Sequence, residues 1–201
     1  MAETTTNPMV LVGQKAPEFE TTMVINKEFK PFKLADNKGK WTLLFFYPLD
    51  FTFVCPTELL ALSDRHDEFK KLGVEIVGAS IDSKFSHLNW MKQSVKEGGI
   101  EGLKYGLIED LGGKVASKYG VLHGDKALRA MFLIDPNGTV QHMTVNNLSV
   151  GRSVEETLRV VQAFQWVAQH GDEVCPADWK PGATTMKPNE QGKKEYFAKR
   201  S

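Results

Sequence analysis

The chain has 201 residues, 41% hydrophobic and 25% charged, which suits one globular domain with an ordinary core and not a disordered or fibrous protein. Twenty-five Lys and Arg balance twenty-five Asp and Glu, so no excess of basic charge is available to a nucleic acid. No apolar stretch approaches the ~20 residues that span a bilayer, and "MAETTTNPMVLVG" has no basic segment leading a long apolar run, so neither a membrane partner nor an export signal is expected.

The first strong element is "WTLLFFY", Trp41 to Tyr47, a continuous aromatic-rich run that reads as a buried central strand ended by Pro48. After "LDFTFV", Cys55 to Leu72 reads as a single helix, with Leu59, Leu62, Phe69 and Leu72 at helical spacing, Pro56 in the first turn and Gly73 as the stop. "VEIVGAS" (Val74 to Ser80) is a second buried strand, and a helix is expected from about Phe85 to Glu97, ending at Gly98-Gly99. A short helix is read over Leu111 to Tyr119. "AMFLID" and "TVQHMTV" then flank Asp135-Pro136-Asn137-Gly138, the turn of an antiparallel hairpin. Ser153-Val154-Glu155-Glu156 makes a capping box that opens a helix to about His170. These elements define a domain over residues 1–171. Residues 172–201, rich in Pro, Gly, Lys and Glu, read as a C-terminal arm. The order strand, helix, strand, helix, hairpin, helix predicts an α/β fold with a mixed central sheet, which a thioredoxin-like fold satisfies.

Cys55 is the position where chemistry concentrates. It lies where a buried strand has ended and a helix begins, and the unpaired N–H groups and positive dipole of a helix start favour an anion there. The thiolate is the reactive form of cysteine. Pro48 and Thr52 precede it with the spacing P-x-x-x-T-x-x-C. A proline shields a sulfur from water without competing for hydrogen bonds, and a threonine hydroxyl, donor and acceptor at once, can hold an oxygen species. Thioredoxins carry C-x-x-C at this place. Here the fourth residue is Glu58, so no local dithiol exists and a general disulfide reductase is disfavoured. The other cysteine is Cys175. Two cysteines without export signals point to a reducing, cytoplasmic compartment, which still leaves room for a disulfide that forms and breaks.

"FYPLDFTFVCPTE" closely resembles the active-site signature of peroxiredoxins, and "GDEVCPADWKPG" resembles the tail that marks their two-cysteine subgroup, the alkyl hydroperoxide reductase and thiol-specific antioxidant family. The resemblance runs from about Val12 to Phe197 and includes "GASIDSKFSHLNW", "YGVL", "LRAMFLIDPNG", "GRSVEETLRVVQAFQ" and "KEYF". It implies that Cys55 is the peroxidatic cysteine, attacking hydrogen peroxide or an organic hydroperoxide to leave a sulfenic acid. Arg129 would hold the thiolate and the polarised peroxide, with Thr52 binding peroxide and Pro48 shielding the pocket. Glu58 and Arg152 would orient the arginine. Cys175 would resolve the sulfenic acid into an intersubunit disulfide, recycled by a thioredoxin or a flavoprotein disulfide reductase. A homodimer, and a ring of dimers up to a decamer, follows from the same resemblance. So do two secondary activities, a holdase chaperone and a redox relay. Members sensitive to overoxidation carry Gly-Gly-Leu-Gly and a C-terminal Tyr-Phe. Here Tyr196-Phe197 is kept but the loop reads Gly98-Gly99-Ile100-Glu101, so an altered loop at Glu101 and intermediate sensitivity are expected.

Against these stand plainer readings. A cysteine in an apolar stretch is usually inert core, Arg129 at a strand start is by default solvated, and Arg152 beside a helix start is equally ordinary. The four tryptophans need no role beyond packing. The five histidines show no ligand spacing such as H-E-x-x-H, and Gly112-Gly113 before Lys114 lacks the upstream glycine of a phosphate loop, so no metal or cofactor is expected.

Overall fold

The computed structural model describes residues 10–199, so the reading of "MAETTTNPM" as lacking a leader falls outside the described residues. The chain divides into two compact units between Arg152 and Ser153.

The first unit is built on the strands β1 (Glu20–Ile25), β2 (Glu28–Lys33), β3 (Trp41–Phe46), β4 (Val74–Ser80), β5 (Gly106–Glu109), β6 (Leu122–His123), β7 (Lys126–Ala127), β8 (Arg129–Ile134) and β9 (Val140–Asn146). Its helices are α1 (Cys55–Asp64), α2 (His66–Lys71), α3 (Lys84–Trp90) and α4 (Lys114–Lys118). Seven strands form one sheet in the order β2-β1-β5-β4-β3-β8-β9, while β6 and β7 pair separately. β3, β4 and β5 run parallel, whereas β8 is antiparallel to β3 and to β9. The sheet is therefore mixed, as expected. β3, buried along nearly its whole length, lies inside it between β4 and β8. Phe46, Phe132 and Tyr119 pack edge to face or tilted in the core beneath it, with centroids 5.0–6.1 Å apart.

Several helices differ from expectation, each for a local reason. The helix expected over Cys55–Leu72 breaks at Arg65, whose φ of −97° and ψ of 9° leave helical geometry. The next turn restarts when the Glu68 amide donates to the Arg65 carbonyl three residues back. α3 stops at Trp90, because Ser94 accepts from the Lys96 amide and opens a separate 3-10 turn over Val95–Glu97. The third helix cannot begin at Leu111. Gly112 and Gly113 sit at φ 77° and 68°, and it starts only at Lys114, with the Asp110 carboxylate accepting from the Val115 and Ala116 amides at 2.7 and 2.8 Å. Glu101 takes an ordinary backbone conformation: the left-handed positions of its loop are Gly98 and Gly102. Position 101 therefore does not need the positive φ on which the expectation of an altered loop rested.

The second unit contains α5 (Val154–Gln169) and α6 (Glu190–Ala198). Ser153 caps α5 by accepting from the Glu156 amide at 3.1 Å, as the capping box predicts. Past α5 the chain folds back on itself through an antiparallel bridge between Val174 and Met186. The arm ends in a helix that its composition concealed, started by Asn189, whose side chain accepts from the Gly192 amide at 2.8 Å.

Candidate active site

Cys55 is the first residue of α1 and has no exposed surface. Pro56 follows at the helix start, where its missing N–H costs nothing, and Val54, already in helical conformation, accepts from the Thr57 and Glu58 amides. The parallel strand β3 delivers the chain to this point by way of the loop Tyr47–Val54.

That loop is fixed by a buried polar network that sequence reasoning missed. The Tyr47 hydroxyl donates to Asp50 Oδ1 at 2.8 Å, and His87 Nδ1 lies 2.8 Å from Asp50 Oδ2. His87 Nε2 lies 3.1 Å from the Ile108 carbonyl and so must carry a proton. The Asp50 amide donates to Asp82, which also accepts from Ser80. Burial, and then the negative charge of Asp50, raise the Asp82 carboxyl above its ordinary range. Between the anchored Asp50 and Thr52, Phe51 holds φ at 54°, an uncommon conformation for an aromatic residue. The visible signal was the polar trio Tyr47, Asp50 and His87, two members of which lie within the cysteine signature.

Arg129, the first residue of β8, and Arg152 converge on Cys55 and Glu58. Arg129 Nη1 donates to Glu58 Oε2 at 2.7 Å and to Cys55 Sγ at 3.4 Å, while its Nε donates to the Leu148 carbonyl at 2.7 Å. Glu58 Oε1 accepts from both the Nε and the backbone amide of Arg152, at 2.7 and 2.9 Å. Arg152 Nη1 reaches the Phe46 and Ala130 carbonyls at 2.9 and 2.6 Å. The guanidinium also stacks over Phe45 at 5.3 Å. Both arginines and the glutamate are about 95% buried, so the plainer reading of solvated charges does not hold for either arginine. Burial opposes the Glu58 carboxylate, yet hydrogen bonds and charge from Arg152, with the charge of Arg129, hold it below its ordinary range.

Pro48 is buried at the end of β3, and the Thr52 hydroxyl donates to the Leu49 carbonyl at 2.9 Å, which leaves its oxygen as an acceptor. Cys175 belongs to the second unit. It is a free, half-buried thiol 3.8 Å from the Ala163 carbonyl of α5. Burial, and then the charge of Glu173, push this thiol up, against the opposing pull of Arg159. Among the described residues no group of His, Cys, Asp and Glu is arranged to hold a metal ion, and no helix is long and apolar enough to cross a membrane.

A buried thiol facing a guanidinium, itself fixed by a carboxylate, is an arrangement suited to nucleophilic attack with charge stabilisation. Comparison with known proteins agrees. Residues 12–143 match the AhpC/TSA family, and residues 163–199 match the C-terminal domain of 1-Cys peroxiredoxin. The chain is 55% identical to the chloroplastic 2-Cys peroxiredoxin BAS1 of Hordeum vulgare, over 94% of this chain and 90% of that one. It is 53% identical to peroxiredoxin-2 of Macaca fascicularis, over 94% and 96%. The reduced 2-Cys peroxiredoxin of Plasmodium vivax superposes with a TM-score of 0.90 at 45% identity, covering 93% of this chain and 98% of that one. The fold is thioredoxin-like, and the chain belongs to the AhpC/TSA family of peroxiredoxins as a thiol-dependent peroxidase.

Proposed function

We propose that this peroxidase reduces hydrogen peroxide and organic hydroperoxides with Cys55 as the peroxidatic nucleophile and Cys175 as the resolving cysteine. The observation that carries the first assignment is the 3.4 Å bond from Arg129 to the Cys55 sulfur, on an arginine that Glu58 and Leu148 hold in place. The thiolate attacks one peroxide oxygen and the O–O bond breaks. The departing oxygen leaves as water or alcohol, taking a proton, and sulfur is oxidised to the sulfenic acid as the peroxide is reduced. Arg129 stabilises the charge that moves from sulfur to the leaving oxygen. Thr52 offers an acceptor to the peroxide O–H, and Pro48 keeps water out. Glu58 and Arg152 position Arg129.

Cys175 then displaces hydroxide from the sulfenic sulfur, giving a disulfide and water. We assign that disulfide to two subunits of a homodimer, and its reduction to a dithiol protein such as thioredoxin or to a flavoprotein disulfide reductase. Self-association into a ring of dimers is supported by the exposed rings of Phe51, Phe53 and Phe85, Phe53 being 91% exposed. The outer edge of β9, last strand in the sheet, supports pairing between two copies. A reducing, cytoplasmic setting remains our reading from the two free thiols.

Peroxide consumption with a dithiol reductant tests the assignments. Cys55→Ser is expected to abolish turnover, while Cys175→Ser oxidises once and stalls as the sulfenic acid. Multiple turnovers by the Cys55 variant would remove it from the nucleophile's place. Client aggregation measured beside it separates a holdase activity, which survives Cys55→Ser.

A further inference from the structure

Around Cys175 the second unit is closed by a clasp that peroxide chemistry does not require. A single carboxylate oxygen, Glu173 Oε2, accepts from Trp166 Nε1 of α5 at 3.1 Å and from the Thr185 hydroxyl at 2.6 Å. One residue further on, the amides and carbonyls of Val174 and Met186 exchange hydrogen bonds at 2.8 and 3.1 Å. Residues 174–186 therefore form a loop shut at its base, with Cys175 just inside. Its far side is tied down as well. Arg159 Nη1 of α5 donates to the Trp179 carbonyl at 3.0 Å, and the Trp179 ring packs against Trp166 at 5.6 Å. Trp166 is in turn stacked on His170 at 3.9 Å.

We infer that Glu173 is a positioning residue for the resolving step: joining Trp166 to Thr185, it holds Cys175 against α5 and slows its transfer to the sulfenic acid of Cys55. This rests on the resolving role proposed for Cys175. The step held back is balanced without any added reagent. The Cys175 sulfur bonds to the sulfenic sulfur, the S–O bond breaks, and hydroxide leaves with the thiol proton as water. Half-buried 3.8 Å from the Ala163 carbonyl of α5, the Cys175 thiol must be released from that contact to bond to another sulfur. The Thr185 and Trp166 bonds hold the Glu173 carboxyl below its ordinary range, so the clasp is charged and closed at neutral pH. Its strength is that of charge-assisted hydrogen bonds at an accessible site, enough to govern a rate without locking the arm.

Thr185→Val removes one donor and keeps the shape of the side chain, while Trp166→Phe removes the other donor and keeps an aromatic ring in the smaller side chain. Two measurements on the full chain read the clasp. One is alkylation of Cys175 by iodoacetamide in the reduced protein, followed by peptide mass spectrometry. The other is the single-turnover rate at which the Cys55–Cys175 disulfide appears after one equivalent of hydrogen peroxide. Each variant is expected to raise both rates about three- to tenfold, and Glu173→Ala to raise them most. Unchanged rates in Trp166→Phe and Thr185→Val overturn the clasp, as does slower disulfide formation, or faster alkylation without faster disulfide formation. If the wild-type protein forms no Cys55–Cys175 disulfide, the resolving assignment fails and the clasp fails with it. If that disulfide forms normally and the variants leave it unchanged, only the clasp falls.

Discussion

Arg129 does three things with one guanidinium: it donates to Cys55, to Glu58 and to the Leu148 carbonyl. A lysine ammonium keeps the charge but not the planar fork that reaches three acceptors in fixed directions. Arg129→Ala should therefore slow peroxide attack on Cys55 by about 10²–10³, the usual loss for removing one preorganised donor, and Arg129→Lys should recover only part of it. Stopped-flow oxidation of Cys55 decides this, and a rate within about twofold of wild type would take Arg129 out of the step. Glu58 stands between two buried cations, so Glu58→Gln leaves them uncompensated at a cost of about 3–5 kcal/mol, read from the urea midpoint. The sign of the pH dependence follows from the lowered Glu58 carboxyl. The unfolded chain takes up the proton first as pH falls. The contribution is thus whole above the ordinary carboxyl value of 4.5 and is lost as pH drops through the lower native value. The stability gap between wild type and Glu58→Gln should be constant from pH 7 to 5 and shrink below about 4.5. A gap that stays constant down to pH 3 would show that the ion pairs are not its source.

At the level of elements, the parts legible in the sequence were those where one physical signal dominates. β3 was readable because a strand buried on both faces has no polar alternation to blur it, and α5 because Ser153 and the apolar stripe after it agree. Cys55 was readable because strand end, proline and helix start coincide there. Where two signals compete, the sequence was less explicit. β2, "EFKPFK", carries a proline and mostly polar exposed positions that an edge strand tolerates, and it pairs with β1 through Asn26 and Lys27, both at positive φ. The break at Arg65 leaves no apolar gap, so spacing alone joined α1 to α2. The Tyr47–Asp50–His87 network joins the loop after β3 to α3, far apart in sequence, which no local pattern reveals. The loop after α3 shows how backbone decides tolerance. Gly99 donates its amide to the Ser94 carbonyl, and a Cβ there would come within 2.0 Å of the Gln93 carbonyl oxygen. Gly99→Ala should thus cost about 1–3 kcal/mol. Glu101→Gly should change stability by less than about 1 kcal/mol, since it loses only an exposed 3.9 Å pair with Lys27 and adds flexibility to the unfolded chain. Thermal unfolding of the two variants checks this. Equal losses would mean that the loop is set by its side chains and not by close backbone approach.

For the whole molecule, catalysis sets two reactions in competition at one sulfur. With the roles proposed above, a sulfenic acid at Cys55 either meets Cys175 and becomes a disulfide or meets a second peroxide and becomes a sulfinic acid, which a disulfide reductant does not reverse. A disulfide needs the two Cα atoms within about 7 Å, and Cys55, with no exposed surface, cannot accept a partner sulfur until the start of α1 opens. Every contact that delays either cysteine therefore favours the sulfinic acid. Within the second unit, α6 is such a contact. Tyr196 and Lys199 line a cleft of about 320 Å³ together with Pro176, Asp178 and Trp179, the residues that directly follow Cys175. The Tyr196 ring is itself braced edge-on by Phe197 at 5.4 Å. A helix bordering the same cleft as the 176–179 segment limits the movement of Cys175, the proposed resolving cysteine. Deleting residues 190–201 removes that restraint and leaves the Glu173 bonds untouched. The sulfinic fraction at Cys55, measured by mass spectrometry during turnover at rising peroxide, should fall several-fold at each peroxide concentration, and the disulfide should appear correspondingly sooner. An unchanged sulfinic fraction after the deletion would mean that α6 does not gate the step, leaving the opening of α1 around Cys55 and the Glu173 clasp to set the balance between recycling and inactivation.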